Sequence, residues 1–286
     1  MRSSKSRETS LRLATTRGAL YHADCLDLLA ATKDKSVDCV FADPPFNLGK
    51  QYGSQKAKDQ KPKTDYTHWT RRWLSESVRV LKPGGSLFIY HIPRTLIDIA
   101  SYLNYFDEME FRNWIAIKMK NGFPFTNRLH AAHYGMLYYV KRGRRSKFRV
   151  LRDPSPTCRH CAGLLRDYGG YIDRYRTNGD NVPLIRLADV WDDINPNIHH
   201  KNRPKSINEL PSVIPERVIL MTTKKDDVLL DLFVGGGSSL SMAEKHDRYW
   251  VGSEIGSTTH ARSRILKEPK SRKRANVPAK INRLFK

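Results

Sequence analysis

The sequence predicts an α/β fold built on a mostly parallel sheet, and three observations predict it. Short apolar runs alternate with segments of helical spacing; one run ends in adjacent glycines that open a helix; another ends on an aspartate followed by two prolines. Strands linked through helices run parallel and need cover on both faces. Residues 36–42, SVDCVFA, form a strand. THWTRRWLSESVRVL at 67–81 carries Trp69, Trp73, Val80 and Leu81 at helical spacing, and KPGG stops that helix. SLFIY at 86–90 is the next strand, TLIDIASYLNYF a helix, and EFRNWIAIKM and YGMLYYVKR are two further strands. Order lapses from 144 to 205 and returns with SVIPERVILMTT as a helix, DDVLLDLF as a strand, GGGSSLSMAEKH as a turn entering a helix, and RYWVGSEI as a strand. No internal repeat is present. Residues 1–17 and 267–286 are basic and weakly periodic, so they read as tails.

Composition narrows the function. With 286 residues and 39% hydrophobic content the chain can bury a substantial core. It contains no run of about 18 apolar residues, and MRSSKSRETS lacks the apolar stretch of a secretory signal. A soluble, cytoplasmic protein is expected. Four cysteines are too few for a disulfide framework, and Cys25 and Cys39 sit in apolar stretches as buried thiols. The 51 Lys and Arg against 29 Asp and Glu leave a net charge of +22, which calls for a polyanionic partner. The basic residues follow no apolar helical stripe, so a membrane surface is not that partner.

DLFVGGGSS, residues 231–239, places Gly235, Gly236 and Gly237 between a strand and a helix. Glycines admit a ligand close to backbone. The spaced glycines that cradle a pyrophosphate are absent, which suits a nucleoside without phosphates. Glu254 ends the next strand, where an acid commonly binds ribose hydroxyls, and Asp231 precedes the glycines, where it orders the loop or meets a cationic group. S-adenosylmethionine is the candidate that carries adenosine without phosphate. Such a unit normally opens an α/β domain; here it comes last, so the sheet is assembled in permuted order.

FADPPFNLG, residues 41–49, places Asp43, Pro44, Pro45 and Phe46 at a strand end. The prolines hold an extended turn and leave the Pro44 carbonyl without a ladder partner. Asp43 and that carbonyl are two acceptors for the N–H bonds of a nucleobase amine, which frees its lone pair for an electrophile. Phe46 supplies a stacking face for a flipped base.

With both motifs in hand, the chain resembles the DNA amino-methyltransferases that act on adenine N6 or cytosine N4. DPPF before the glycine loop is similar to the β group, whose target-recognition region lies between the two. The likeness runs from about residue 18 to 267 and includes GALYHADCLDLL, VLKPGGSLFIY, NRPKSINELPSVIPERVI and VGSEIGSTTHARSRI. It implies a Rossmann-like S-adenosylmethionine-dependent methyltransferase fold over 18–143 and 206–266, with a target-recognition insert at 144–205. Asp43, Pro44, Pro45 and Phe46 are then catalytic, and Asp24, Asp231, Phe233, Gly235, Gly237 and Glu254 hold S-adenosylmethionine. Gly236 stands where the family often has Ser, and His260 where Tyr is frequent. Asp before Pro-Pro points to adenine N6; cytosine N4 is the alternative, and a DNA-binding module without catalysis the alternative of another class. Five-position cytosine enzymes need a Pro-Cys pair, which is absent.

Double-stranded DNA is the expected partner, with Lys50, Arg152, Arg166, Arg174 and Arg176 as DNA contacts, joined by Arg159, Arg186 and neighbouring tyrosines. The Lys-rich stretch from Lys50 reads as a loop that closes on DNA. The resemblance also brings homodimers and a cognate restriction endonuclease as companions. CRHC has metal-ligand spacing at Cys158 and Cys161, but a second Cys pair is missing, so free thiols are expected there rather than zinc.

Overall fold

The computed structural model describes residues 9–49, 60–118, 126–127, 129–154, 172–178, 182–194 and 209–286. The first part of the chain gives β1 (Ser10–Thr15), β2 (Gly18–His22), α1 (Cys25–Ala31), β3 (Val37–Ala42), α2 (Lys63–Val80), β4 (Leu81–His91), α3 (Pro93–Leu103), β5 (Met109–Lys118) and β6 (His133–Lys141). β7 (Arg152–Pro154), β8 (Ile172–Thr177), β9 (Pro183–Arg186) and β10 (Val190–Trp191) follow. The last part gives α4 (Val213–Thr222), β11 (Val228–Asp231), α5 (Ser238–Lys245), β12 (Tyr249–Glu254), α6 (Thr259–Leu266), β13 (Lys273–Arg274) and α7 (Ala279–Asn282).

Among the described residues the main sheet runs β10-β5-β6-β4-β3-β11-β12-β2-β1-β13. Its centre, from β4 to β2, is parallel; β6 runs against β4 and β5, and β1 against β2 and β13. Strand alternation divides the core. Cys39 and Phe41 face one cluster with Leu229, Trp250 and side chains of α4, α5 and α6; Val40 and Ala42 face another with Leu230, Val251 and side chains of α1, α2, α3 and α7. Cover on both faces explains why the central strands read as continuous apolar runs. Each fully buried Leu or Phe here contributes about 1.5–3 kcal/mol.

Local sequence sets the helix starts. Asp24 caps α1 by accepting the Leu26 N–H at 2.9 Å, and Pro93 occupies the first turn of α3. α2 buries Tyr66, Thr70, Trp73, Leu74, Ser77 and Val78, a stripe at helical spacing.

Several expectations need correction. KPGG is no break before a strand: β4 already begins at Leu81, and the pairing with β3 shifts between Val37 and Cys39. Pro83 lacks an N–H and Gly84 has φ +81°, so these residues bulge while Leu81 pairs with Val37. The two segments read as tails contain packed structure. Residues 10–15 form β1, Ile281 and Leu284 are buried, and Phe285 lies edge-on to Tyr21 at 5.7 Å. Their apolar residues are too few and too widely spaced to show a period.

The segment read as irregular holds a three-stranded antiparallel sheet, β7-β9-β8. It also returns to the main sheet, where β10 pairs with β5 and buries Trp191. Arg217 of α4 fastens this region: its guanidinium lies over Trp191 at 5.1 Å and donates to Asp193 at 2.6 and 3.0 Å and to Asp153 at 3.0 Å. A buried arginine with two carboxylates and a ring is well compensated for lost hydration. No helix among the described residues is long and apolar enough to cross a membrane.

Candidate active site

The sequence-predicted residues converge on the carboxyl edge of the parallel strands, where open α/β sheets bind ligands. β3 delivers Asp43, β11 ends at Asp231, β12 at Glu254, and β2 leads into Asp24. Register places Asp231 beside Phe41 of β3 on one side and Gly252 of β12 on the other. Glu254 pairs with His22, and the Ala23 N–H donates to the Glu254 carbonyl at 3.3 Å.

The glycine loop is ordered by its own acids. Asp231 accepts the Phe233 N–H at 2.9 Å and the Ser239 hydroxyl, so both its oxygens serve the loop. Burial is the main force pushing its carboxyl up to about 6, with the Glu254 charge adding to it. Glu254 accepts the Gly235 N–H at 2.8 Å and the Gly256 N–H at 2.6 Å. An anion therefore occupies the place where a pyrophosphate would need free N–H groups. Gly235 is exposed, and among the described residues a Cβ added to it would meet no atom closer than 4.0 Å. A phosphate-free nucleoside fits this open, acid-lined loop; a dinucleotide does not.

Gly237 caps α5 at φ +80°, and a Cβ there would stand 2.8 Å from the Ala261 Cα. Gly236 is crowded by a side chain rather than by backbone: a Cβ would meet Glu209 Cγ at 2.7 Å. Glu209 in turn binds His260 and, at 3.0 Å, Arg264. Gly236 and His260, the two departures from the family pattern, thus share Glu209 as a neighbour. Phe233 lies edge-on to Trp69 and Trp73 at 5.6 and 5.5 Å and so ties the loop to α2.

Asp43 has no hydrogen-bond partner among the described residues, nor does the Pro44 carbonyl. Asp43 as a whole is only partly buried, while its carboxyl is withdrawn from water. Removal from bulk water, then the nearby Asp231 charge, push it up to about 8. Phe46 is buried against His91 at 4.4 Å, Tyr134 at 5.8 Å and Tyr90 at 6.1 Å. Burial and the Asp43 charge raise both tyrosine hydroxyls, which keeps them neutral. Sequence reading did not find Tyr66, Tyr90, His91 or Tyr134. The signal for His91 is its position: like Asp43, it is a polar residue ending an apolar strand.

A stability prediction arises here. Folded Asp43 binds its proton more tightly than an unfolded carboxyl of pKa about 3.9, so its ionisation destabilises the fold as pH rises from about 4 to 8. Asp43→Asn removes that penalty. We expect Asp43→Asn to match the wild type near pH 4 and to exceed it by about 1–3 kcal/mol at pH 7.5, partial access to water being allowed for. Thermal melts of the ligand-free protein across this range test the widening gap.

Of the DNA-contact candidates, Arg152 stands opposite Arg186 in the β7–β9 pair, and Arg174 and Arg176 lie on β8 of the same sheet. Lys50 and its loop, Arg159, Arg166, Cys158 and Cys161 lie outside the described residues. Among the described residues, Asn47 exchanges two hydrogen bonds with Lys61 at 2.7 and 3.0 Å.

A family model described as DNA methylase, for the N6 and N4 enzymes, matches residues 37–264. The chain is 41% identical over 272 residues to the type II methyltransferase M.BamHI of Bacillus amyloliquefaciens, covering 95% of this chain and 62% of that protein. It is 28% identical over 255 residues to M.BglII of Bacillus subtilis, covering 82% and 65%. The chain thus spans less than two thirds of these relatives' length. Among solved structures, the cytosine-N4-specific PvuII DNA methyltransferase aligns with a TM-score of 0.60 at 15% identity over 92% of each chain. M1.HpyAVI, solved as a complex with S-adenosylmethionine, aligns with a TM-score of 0.53 at 18% identity over 87% of this chain and 98% of its own. The matched family model takes in both Asp43 and Glu254, and the chain belongs to the DNA methylase family of N6 and N4 amino-methyltransferases.

Proposed function

We propose that the protein transfers a methyl group from S-adenosylmethionine to an exocyclic amine of a base flipped out of duplex DNA. The observation that carries this reading is a pair of acceptors uncommitted among the described residues, the Asp43 carboxyl and the Pro44 carbonyl, one strand away from an acid-lined glycine loop. When bound, S-adenosylmethionine supplies a methyl carbon made electrophilic by its sulfonium. Gly235, Gly237 and the backbone held by Asp231 form the wall against it, Glu254 and Asp24 lie toward its sugar and adenine, and Phe233 keeps the loop on α2.

Asp43 and Pro44 accept the two N–H bonds of the amine, so the nitrogen lone pair leaves the ring's conjugation and faces the methyl. Phe46, flanked by Tyr90 and Tyr134, is the aromatic platform for the base. The amine loses a proton as the new N–C bond replaces the methyl's bond to sulfur, whose electron pair stays on sulfur. In its ionised form Asp43 lies in place to accept that proton.

Two target readings remain, each with its support. Asp leading Pro-Pro supports adenine N6; the shared fold of the cytosine-N4-specific PvuII enzyme supports cytosine N4. The basic β7-β9-β8 sheet supports duplex DNA as substrate, with Arg152, Arg174 and Arg176 on it. The motif order supports placement in the β group, and the type II relatives support a companion restriction endonuclease; a homodimer rests on the family resemblance alone. Sequencing of host DNA with modified-base detection after expression decides base and site together. One amine-methylated base at one recurring sequence is expected; unmodified DNA overturns the proposal.

A further inference from the structure

Deepening the proposed function and resting on it, we propose that His91 and Tyr66 are a positioning pair that selects which proline carbonyl of the catalytic loop meets the substrate amine. Both side chains are buried, His91 completely. The Ile92 N–H donates to His91 Nδ1 at 2.8 Å, so the hydrogen of a neutral ring sits on Nε2. Nε2 lies 2.9 Å from the Tyr66 hydroxyl and donates to it. The hydroxyl's own hydrogen is then directed to the Pro45 carbonyl at 2.8 Å. These three bonds run in one direction, from the Ile92 amide through His91 and Tyr66 to the loop. Burial alone keeps the ring neutral, pushing His91 down to about 3.

Pro44 and Pro45 have no N–H, so carbonyls are the only backbone handles by which the loop can be held. Tyr66 takes that of Pro45 and leaves that of Pro44 uncommitted among the described residues. Holding the Pro45–Phe46 peptide also sets the Phe46 ring on the His91 face, 35° from parallel. Leu and Phe would fill the space occupied by His91 and Tyr66 without the cost of burying polar groups. The loop's single acceptor geometry accounts for that cost. Tyr66 comes from the start of α2 and His91 from the end of β4, so the pair also locks the loop to two rigid elements.

Tyr66→Phe tests the pair by deleting one oxygen while keeping the ring against Trp69, 5.6 Å away. In the full chain, with labelled S-adenosylmethionine and a duplex that the wild type methylates, we expect kcat to fall about 10- to 100-fold, the scale of a misplaced reacting group. KM for cofactor and for DNA should each stay within about twofold, since the hydroxyl touches neither. His91→Leu should give the same loss, and the double variant no more than either alone. Nitrogen chemical shifts of His91 should report the Nε2–H tautomer between pH 6 and 8. A Tyr66→Phe enzyme with unchanged kcat, a loss carried by KM, or an Nδ1–H tautomer overturns the pair alone. A wild-type chain that methylates no amine overturns the function and the pair with it.

Discussion

Asp43→Ala is expected to lower methyl transfer by about a thousandfold or more, with S-adenosylmethionine affinity staying within a few-fold. The magnitude follows from removing a fixed group aimed at the reacting nitrogen, where charge and geometry change between ground and transition state. The selectivity follows from the structure. Asp43 makes no hydrogen bond to the glycine loop, which Asp231 and Glu254 order by themselves. Nor does it support the fold: its burial destabilises the ionised form, so the variant should be at least as stable as the wild type above pH 7. Single-turnover kinetics, calorimetric titration with cofactor and a thermal melt together check the three parts. A variant that loses activity because it melts, or because it no longer binds cofactor, would contradict this account.

Gly237→Ala is the second large effect, and it falls on the other half of the site. A side chain at φ +80° is strained by about 1–2 kcal/mol before any contact is counted. The added Cβ would also stand 2.8 Å from the Ala261 Cα and Cβ, and α6 backbone cannot yield as a flexible side chain would. The loop must move or α5 and α6 must separate. The expected cost is on the order of 2–4 kcal/mol of stability, with at least a tenfold loss of S-adenosylmethionine affinity, read by thermal melting and calorimetry. Gly235→Ala is the contrast: its φ of +50° costs something, but among the described residues no atom crowds the position, so its effect should fall on cofactor affinity more than on melting.

The central strands and helices were legible because their residues obey one period and bury one or both faces. Phe41 and Val40, Leu229 and Leu230 all fall where alternation puts them. The strand-end acids Asp43, Asp231 and Glu254 were legible for a related reason: a carboxylate at the end of an apolar run is costly and invites a purpose. The β1 and α7 segments were not legible. Each is short, and its contacts, such as Phe285 with Tyr21, join residues far apart in sequence. The β7-β9-β8 sheet was hidden in the same way, because its three short strands are rich in arginine and follow no apolar alternation.

Within the site, the loop-ordering role of Asp231 was one of two readings, and the Phe233 and Ser239 hydrogen bonds give it substance. The aromatic and histidine groups around Phe46 lay beyond sequence reasoning. Tyr66, His91 and Tyr134 belong to three different elements and meet only because β4 lies between β3 and β6. Adjacency across a sheet leaves no mark in a local pattern.

The central claim is that Asp43 and Pro44 present an exocyclic amine for methylation. Its most direct measurement is to incubate duplex DNA with methyl-labelled S-adenosylmethionine and the wild-type or Asp43→Ala chain, digest to nucleosides and locate the label. Label is expected on an amine nitrogen, as N6-methyladenine or N4-methylcytosine, with the wild type alone. Label on cytosine carbon 5, no label at all, or equal label with Asp43→Ala would contradict it.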